Sequence, residues 1–318
     1  MISYFIFVIG MISSALVGGN NLSPSLGVML STNVLKRKMA YLFNSIALML
    51  GVSLGGISML SSIKGIVSGE QVYVEISLLS VLIAASVSFY VLNRTGIPSS
   101  LSQMIYPSLV VVFLLNSKYI RINLSKFLIT VESWGISPLV AILSAFLLYS
   151  LFSKAINPLN GGIAKTSRLY RIMISGSSFF VSFVTGANAI GIISSAGSTV
   201  FPFYVVLPSY GAAAVLGMLT FRKTTIVSGF KITKMGYVAG SSAMIGSSVI
   251  SEVFTLLGIP ISITQTLLGG IIGLSFRALT PDITKQLKAV GKGWITGPSL
   301  SVVVTLAVLG IIKSLLGI

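Results

Sequence analysis

The sequence predicts an all-α polytopic membrane protein built from two inverted-topology repeats, each of about five to six transmembrane segments with interrupted or re-entrant helices. Three observations lead there. Only 8% of the 318 residues are charged and the mean hydropathy is +1.00, whereas an ordinary soluble domain carries roughly 25% charged residues. Ten apolar stretches approach the ~20 helical residues needed to cross a ~30 Å hydrocarbon core. A polar motif embedded in this apolar sequence occurs twice, at Pro98 and again 162 residues later at Pro260. The net charge of +16 and pI near 10.2 suggest a nucleic-acid partner, but the long apolar runs contradict it. Neither cysteine nor histidine is present, which removes disulfides, thiolate chemistry and histidine relays.

The stretches run roughly 3–33, 40–62, 73–93, 97–116, 135–153, 172–193, 199–220, 236–256, 258–276 and 297–317. The start, MISYFIFVIGMISSALVGG, has neither a basic n-region nor an A-x-A site, so it reads as a membrane helix rather than a cleaved signal peptide. That first stretch is too long for one straight helix and is interrupted by GGNNLSPS at 18–25. With the N-terminus outside, sixteen basic residues fall in inside loops: Lys36, Arg37, Lys38, Arg94, Lys154, Lys165, Arg168, Arg171, Arg222, Lys223, Lys231, Lys234, Arg277, Lys285, Lys288 and Lys292. Five (Lys64, Lys118, Arg121, Lys126, Lys313) fall outside. Positive charge marks the cytoplasmic side, so both termini are expected outside a cell membrane, and much of the +16 is a topology signal. Glu75 and Glu252 are expected to be interfacial and solvated, and Asp282 to lie on the surface. Residues 1–155 form the first repeat, 156–170 a basic cytoplasmic linker and 171–318 the second, inverted repeat.

The repeat is visible in residues. TGIPSSLSQMI at 95–105 matches LGIPISITQTL at 257–267, and Trp134-Gly135-Ile136-Ser137-Pro138 matches Trp294-Ile295-Thr296-Gly297-Pro298. Weaker is the pairing of Gly18-Gly19-Asn20-Asn21 with Gly186-Ala187-Asn188. Five crossings per half would invert one half relative to the other, an architecture in which interrupted helices hold substrate near the midplane. Gly-Ile-Pro followed by Ser-x-Ser/Thr-Gln is a helix start with free N–H donors, and proline suits its first turn. Ser100, Ser102 and Gln103, with Ser262, Thr264 and Gln265, add side-chain donors. The positive end of a helix with neutral donors suits an oxyanion that must later be released. The competing reading is close helix packing through small residues. Asn20, Asn21 and Asn188 carry oxygens that can ligate Na⁺ and amides that can donate to an anion; an interhelical hydrogen-bond pair is the plainer alternative. Trp134 and Trp294 are expected near the interfaces or against the following proline. No P-loop, G-x-S-x-G or H-E-x-x-H pattern occurs, and no ATPase module is encoded, so neither an enzyme nor a primary pump is expected.

Together these motifs resemble the inorganic phosphate transporter (PiT) family of secondary transporters, across essentially the whole chain. Gly18 to Gly27 resembles the first copy of that family's G-A-N-D-V-A-N-[SA]-x-G signature. Gly96 to Gln103 and Gly258 to Gln265 match its G-[LI]-P-x-S-x-[ST]-[HQ] element. Ser133 to Leu139 and Trp294 to Pro298 resemble its tryptophan–proline segments. The resemblance implies an ion-coupled symporter for phosphate without a cofactor, with Na⁺ or H⁺ as coupling ion. It implies substrate contacts from Asn20, Asn21, Ser100, Ser102, Gln103, Asn188, Ser262, Thr264 and Gln265, with Ser23 and Ser25 in second rank, and Na⁺ at Asn20, Asn21 and Asn188. The chain departs from the pattern where the signature keeps aspartate. Asn21 replaces the first, and Ala189 follows Asn188 in the second copy, unless Ala187 to Gly191 aligns with the later A-N-A-x-G. Sulfate or another oxyanion is therefore an alternative cargo, as is a non-transporting anion receptor. Small-residue faces could pair protomers as a homodimer or serve internal packing equally well.

Overall fold

The computed structural model describes residues 2–95, 99–156, 162–220, 235–275 and 281–317. Gly96 to Pro98 of the first motif, part of the linker, and Arg222, Lys223, Lys231, Lys234 and Arg277 lie outside the described residues, as do the side chains of Ser23, Asp282 and Lys285. The chain is nearly all helix, as apolar sequence in hydrocarbon requires, because each backbone polar group must be paired locally. The first half contains α1 (Ile2–Asn21), α2 (Ser23–Ser31), α3 (Arg37–Leu50) with a π turn at Gly51–Gly55, a short α4 (Ser61–Lys64), β1 (Val67–Gly69), α5 (Gln71–Arg94), α6 (Leu101–Leu115), β2 (Ile120–Ile122) and α7 (Leu124–Ile156). The second half contains α8 (Ile163–Val184) with a π turn at Thr185–Ile190, α9 (Gly191–Gly197), α10 (Phe203–Thr220), α11 (Tyr237–Leu256), α12 (Ile263–Ser275) and α13 (Pro281–Leu316). The long helices thus follow in the same order in both halves.

Among the described residues, seven helical stretches are long and apolar enough to cross a membrane. The expectation of ten full crossings is corrected at 97–116 and 258–276. There α6 has 15 residues and α12 has 13, roughly 22 and 20 Å at 1.5 Å per residue. Both are shorter than a ~30 Å hydrocarbon core. Their polar starts therefore sit within the membrane rather than at its surface.

Antiparallel pairing of β1 with β2, Val67 opposite Ile122 and Gly69 opposite Ile120, ties the start of α5 to the end of α6. The two helices form a hairpin that returns to the side it left. Ser3 donates to Glu75 Oε2 at 3.0 Å, and Lys313 Nζ donates to Asn116 Oδ1 at 2.5 Å. Both ends of the described chain and the charged loops near 64–75 and 116–126 therefore gather at one end of the bundle.

Packing is exchanged between the halves. The α5–α6 hairpin lies against α13, while α11 and α12 lie against α7; likewise α1 packs on α10 and α8 on α3. Close approach at these crossings depends on glycine. A Cβ at Gly18 would overlap the Ala214 carbonyl, one at Gly51 the Phe183 carbonyl, one at Gly186 the Leu48 carbonyl and one at Gly269 the Pro138 carbonyl. Small residues at such crossings are what membrane helices use, since water supplies no drive between them.

Candidate oxyanion site

The two Gln-bearing motifs meet face to face. Gln103 Nε2 donates to Gln265 Oε1 at 3.1 Å, and Gln265 Nε2 donates back to Gln103 Oε1 at 2.6 Å, across 162 residues of sequence. That separation equals the offset between the motif prolines, so equivalent residues of the two repeats touch each other. Equivalent residues can do so only astride the axis that relates the repeats. Both side chains are buried, Gln103 at 5% and Gln265 at 4% exposure. Each amide offers two N–H donors and one carbonyl acceptor, and the reciprocal pair uses one donor from each.

The helix starts beside this pair keep their polar groups available. Ser100 occupies the N-cap of α6 in extended conformation, but its hydroxyl makes no cap bond. Instead its Oγ pairs with Ser102 Oγ at 2.9 Å, and Ser102 Oγ donates to the Ile261 carbonyl of the other motif at 3.3 Å. Ser262 and Ser99 are buried with hydroxyls that find no partner among the described residues. Buried polar groups in native structures are nearly always paired, so these point to something the protein itself does not supply. Thr264 is half-buried on the first turn of α12.

Trp134 fixes one side of this arrangement. Its Nε1 donates to the Pro260 carbonyl at 3.1 Å, and its ring meets Tyr106 edge-on at 6.2 Å. The expectation that Trp134 belongs to an interface or to its own Pro138 is corrected: it braces the break of the opposite repeat. Thr266 Oγ1 donates to the Ser262 carbonyl at 3.0 Å and lies 3.1 Å from Ser137 Oγ, tying α12 to α7. The corresponding tie between α6 and α13 runs through Ser108 and Ser301, whose hydroxyls lie 2.9 Å apart.

The Asn-bearing breaks are placed differently. Asn20 Nδ2 donates to Asn21 Oδ1 at 3.2 Å, both half-buried at the end of α1. Among the described residues no hydrogen bond joins either to the glutamine pair. Ser25 is fully buried, and its Oγ lies 2.9 Å from Ser182 Oγ, which donates to Asn44 Oδ1; these bonds fasten α2 and α3 to α8. Asn188 lies in the π turn after α8, 0% exposed, and donates from Nδ2 to Thr255 Oγ1 on α11 at 2.9 Å. That turn also packs on α12, which carries Gln265.

The expectation that Glu252 is interfacial and solvated is corrected at one of its oxygens, although the residue as a whole is half-buried. Its Oε2 is buried without a partner among the described residues, and Oε1 comes within 3.3 Å of where a Cβ on Gly55 would stand. Glu75, by contrast, accepts from Gln71 Nε2 at 2.8 Å as well as from Ser3. Sequence reading also missed Ser99, which holds the variable position of the first motif, and Ser251 and Thr255, which lie among many serines and threonines with no motif to single them out.

Comparison with known proteins places this geometry. The model of a phosphate transporter family matches residues 17–313. A Methanocaldococcus jannaschii protein with a provisional phosphate-permease name is 23% identical over 291 residues, covering 91% of each chain. A sulfate permease of Bacillus subtilis is 26% identical over 297 residues, covering 90% of this chain and 81% of that one. The solved structure of a sodium-dependent phosphate transporter superposes with a TM-score of 0.82 at 20% identity, covering 98% of this chain and 99% of the other.

Proposed function

Because the chain belongs to the phosphate transporter family, we propose that it is a secondary transporter that carries inorganic phosphate by ion-coupled symport. The family is one of transporters, so the chain is a permease and not an enzyme. The observation that carries the reading is the reciprocal Gln103–Gln265 pair, set between two equivalent helix starts whose serine hydroxyls are buried and in part unpartnered.

The pair supplies an internal substitute for a ligand. With no anion bound, each amide satisfies the other, which spares the pair the cost of about 1–3 kcal/mol per orphaned buried group, while the hydroxyls of Ser99 and Ser262 stay without a partner among the described residues. An oxyanion entering between the helix starts accepts from the amide nitrogens, from Ser100, Ser102, Ser262 and Thr264, and from the first-turn N–H groups of α6 and α12. Helix N-termini favour such a charge. Because the donors are neutral and come from both repeats, the anion is held without a permanent countercharge and can leave when the repeats move apart. Asn20, Asn21 and Asn188 are the signature-derived contacts, with Ser23 and Ser25 behind them. The coupling ion is Na⁺, in keeping with the sodium dependence named for the solved relative; H⁺ is the alternative. Both termini face outward, in keeping with the sixteen-to-five division of basic residues.

Sulfate is the second reading. Phosphate at neutral pH still carries protons and rewards a carboxylate acceptor, whereas sulfate offers only acceptors. Asn21 and Ala189 stand where the family signature has aspartate, and one of the relatives is a sulfate permease. Uptake of labelled phosphate and labelled sulfate into proteoliposomes, under imposed Na⁺ or H⁺ gradients, decides between them. Saturable phosphate uptake driven by a sodium gradient is expected. Faster sulfate uptake transfers the assignment to sulfate, and flux of neither anion overturns the transporter reading.

A further inference from the structure

The end of the bundle opposite the β1–β2 pair carries a band of cations from neighbouring helices, which pack in the order α3, α8, α11, α7. Their common depth follows from the helix registers. Tyr170 meets Tyr237 with ring centroids 5.3 Å apart, and Asn188 meets Thr255, so α8 and α11 run side by side with a constant offset of 67 residues. On the other flank of α11, a Cβ at Gly246 would stand 2.7 Å from the Ala145 nitrogen of α7, which runs the opposite way. Lys154, nine residues after Ala145, is therefore level with Tyr237, nine residues before Gly246. On the far side of α8, Phe43 meets Phe179 at 5.2 Å, and Gly186 admits the Leu48 carbonyl. This register sets Lys36, Arg37 and Lys38, at the start of α3, within roughly 8 Å in depth of Arg171 at 1.5 Å per residue.

Lys36, Arg37, Lys38, Lys154, Arg168 and Arg171 are all exposed. Among the described side chains no carboxylate shares this end: Glu70 and Glu75 lie at the β1 end, Glu132 near the start of α7 and Glu252 near the far end of α11. Beside the cations stand large apolar side chains that no part of the described chain covers. Met39 follows Lys38 at 51% exposure, Ile172 follows Arg171 at 59%, and Leu151 lies one turn before Lys154 at 62%. The band therefore lies on the outer wall, where hydrocarbon gives way to headgroups. The length of α7 agrees. Its 33 residues run roughly 50 Å, enough to pass the ~40–45 Å of core and both headgroup layers, which sets Lys154 at headgroup depth.

We infer that this band binds the headgroups of anionic phospholipids in the adjoining leaflet. Arginine and lysine are the donors that phosphodiesters select, and basic clusters beside membrane helices attract anionic lipid. The Tyr170–Tyr237 pair, set between the cations, suits the interface, where amphipathic rings collect. A topology signal needs basic residues only on one side of the membrane. It does not need them at one depth on adjacent helices, each beside an exposed apolar residue. Those apolar neighbours favour a lipid over an aqueous anion or a soluble acidic partner. The band also bears on the breaks. α3 and α8 each lead into one of the two π turns, and these turns touch. A headgroup layer bridging the starts of α3 and α8 therefore clamps the two helices that carry the turns.

The test is thermal unfolding of the purified full-length protein in neutral detergent, with phosphatidylglycerol or phosphatidylcholine added as mixed micelles. Binding to the folded state raises apparent stability in a saturable way. Phosphatidylglycerol is expected to raise the melting temperature, and phosphatidylcholine to leave it nearly unchanged. Each cation near a headgroup contributes about fivefold to the attraction. Arg168→Gln with Arg171→Gln should therefore raise the phosphatidylglycerol-to-detergent ratio at half-effect by at least about tenfold. Lys154→Gln should raise it about fivefold, and it decides the matter if the double variant does not fold. Lys118→Gln with Arg121→Gln, at the opposite end, should leave it unchanged. Equal shifts from the two lipids, a response that survives in the band variants, or an equal loss in the opposite-end variant overturns the site. Inorganic phosphate reports the oxyanion site and should shift the wild type and the band variants alike. A phosphate response lost with Arg168 and Arg171 makes the band a mouth for the aqueous anion and overturns the lipid site. A charge-dependent phosphatidylglycerol response without any phosphate response supports the band and tells only against the oxyanion site.

Discussion

Two polar elements are duplicated in this chain, and they have kept their symmetry to different degrees. The Gln-bearing helix starts are near copies of each other, and their equivalent residues bond reciprocally. The Asn-bearing breaks are not. In the first half the helix ends, Asn20 bonds its own neighbour, and the chain turns into α2 through Leu22. In the second half the helical path runs through a π turn, and Asn188 is fully buried and bonds a different helix. The difference teaches where symmetry is functionally required. A group on the axis meets its own copy, so a change in one half spoils a contact shared by both. A group off the axis meets something different in each half and is free to specialise, one copy as a half-buried break and the other as a fully buried contact between helices.

The largest effect expected from breaking this comparison is at the axis. Gln103→Leu removes donors to the anion and leaves the Gln265 amide buried without a partner. Hydrogen bonds to a charged ligand contribute about 1.5–3 kcal/mol each, and the stranded amide costs about 1–3 kcal/mol. Anion-dependent uptake should fall by at least about tenfold, and the melting temperature should fall with it. Replacing both glutamines by leucine removes the stranded amide. The double variant should melt above either single variant while transporting no better, measured by thermal shift and proteoliposome uptake. If the double variant transports, the axis pair is packing and the anion binds elsewhere.

Next in size are the glycines that let the breaks approach their neighbours. Gly18→Ala would set a methyl group on the Ala214 carbonyl, and Gly186→Ala would set one on the Leu48 carbonyl. Overpacking of this kind costs typically about 1–3 kcal/mol. Gly135, with nothing within 4 Å of its missing Cβ, is the control; there alanine should stabilise by up to about 1 kcal/mol through helix propensity. Equal losses at Gly18 and Gly186 would say that the two breaks share a packing role despite their different asparagines. A loss at Gly186 alone would say that only the second break is rigidly held.

What could be read in the sequence was what repeats or what is scarce. The Gly-Ile-Pro motifs stood out because polar residues recur in an apolar background, and their axis contact follows once the halves are inverted. The sparse charges revealed the membrane class, and the structure brings Glu75, Arg121 and Lys313 toward one end of the bundle. Depth was not legible. Whether Glu252 meets water depends on where α11 stops and on the absence of a side chain at Gly55, far away in the other half of the chain. Nor was the length of α6 and α12 legible, because an apolar run does not say where its helix begins. Trp134 could be read as an interfacial residue because its partner, the Pro260 carbonyl, is a backbone atom of the other half.

The smaller effects compare the two kinds of asparagine and the brace behind the axis. Asn188→Ala strips a buried hydrogen bond from Thr255 and should cost about 1–3 kcal/mol; Asn20→Ala, half-buried and bonded to its neighbour Asn21, should cost less than about 1 kcal/mol. Thermal unfolding in detergent ranks them, and equal costs would mean that the two breaks are energetically alike after all. Trp134→Phe keeps the aromatic contact with Tyr106 and removes only the donor to the Pro260 carbonyl, which should cost about 1 kcal/mol. Because that carbonyl belongs to the turn leading into Ser262 and Gln265, its release should weaken anion affinity more than it lowers the melting temperature. Anion titrations of the variant check this. A melting temperature that falls with unchanged affinity would make Trp134 a packing residue and leave the glutamine pair braced by α7 through Ser137 and Thr266 alone.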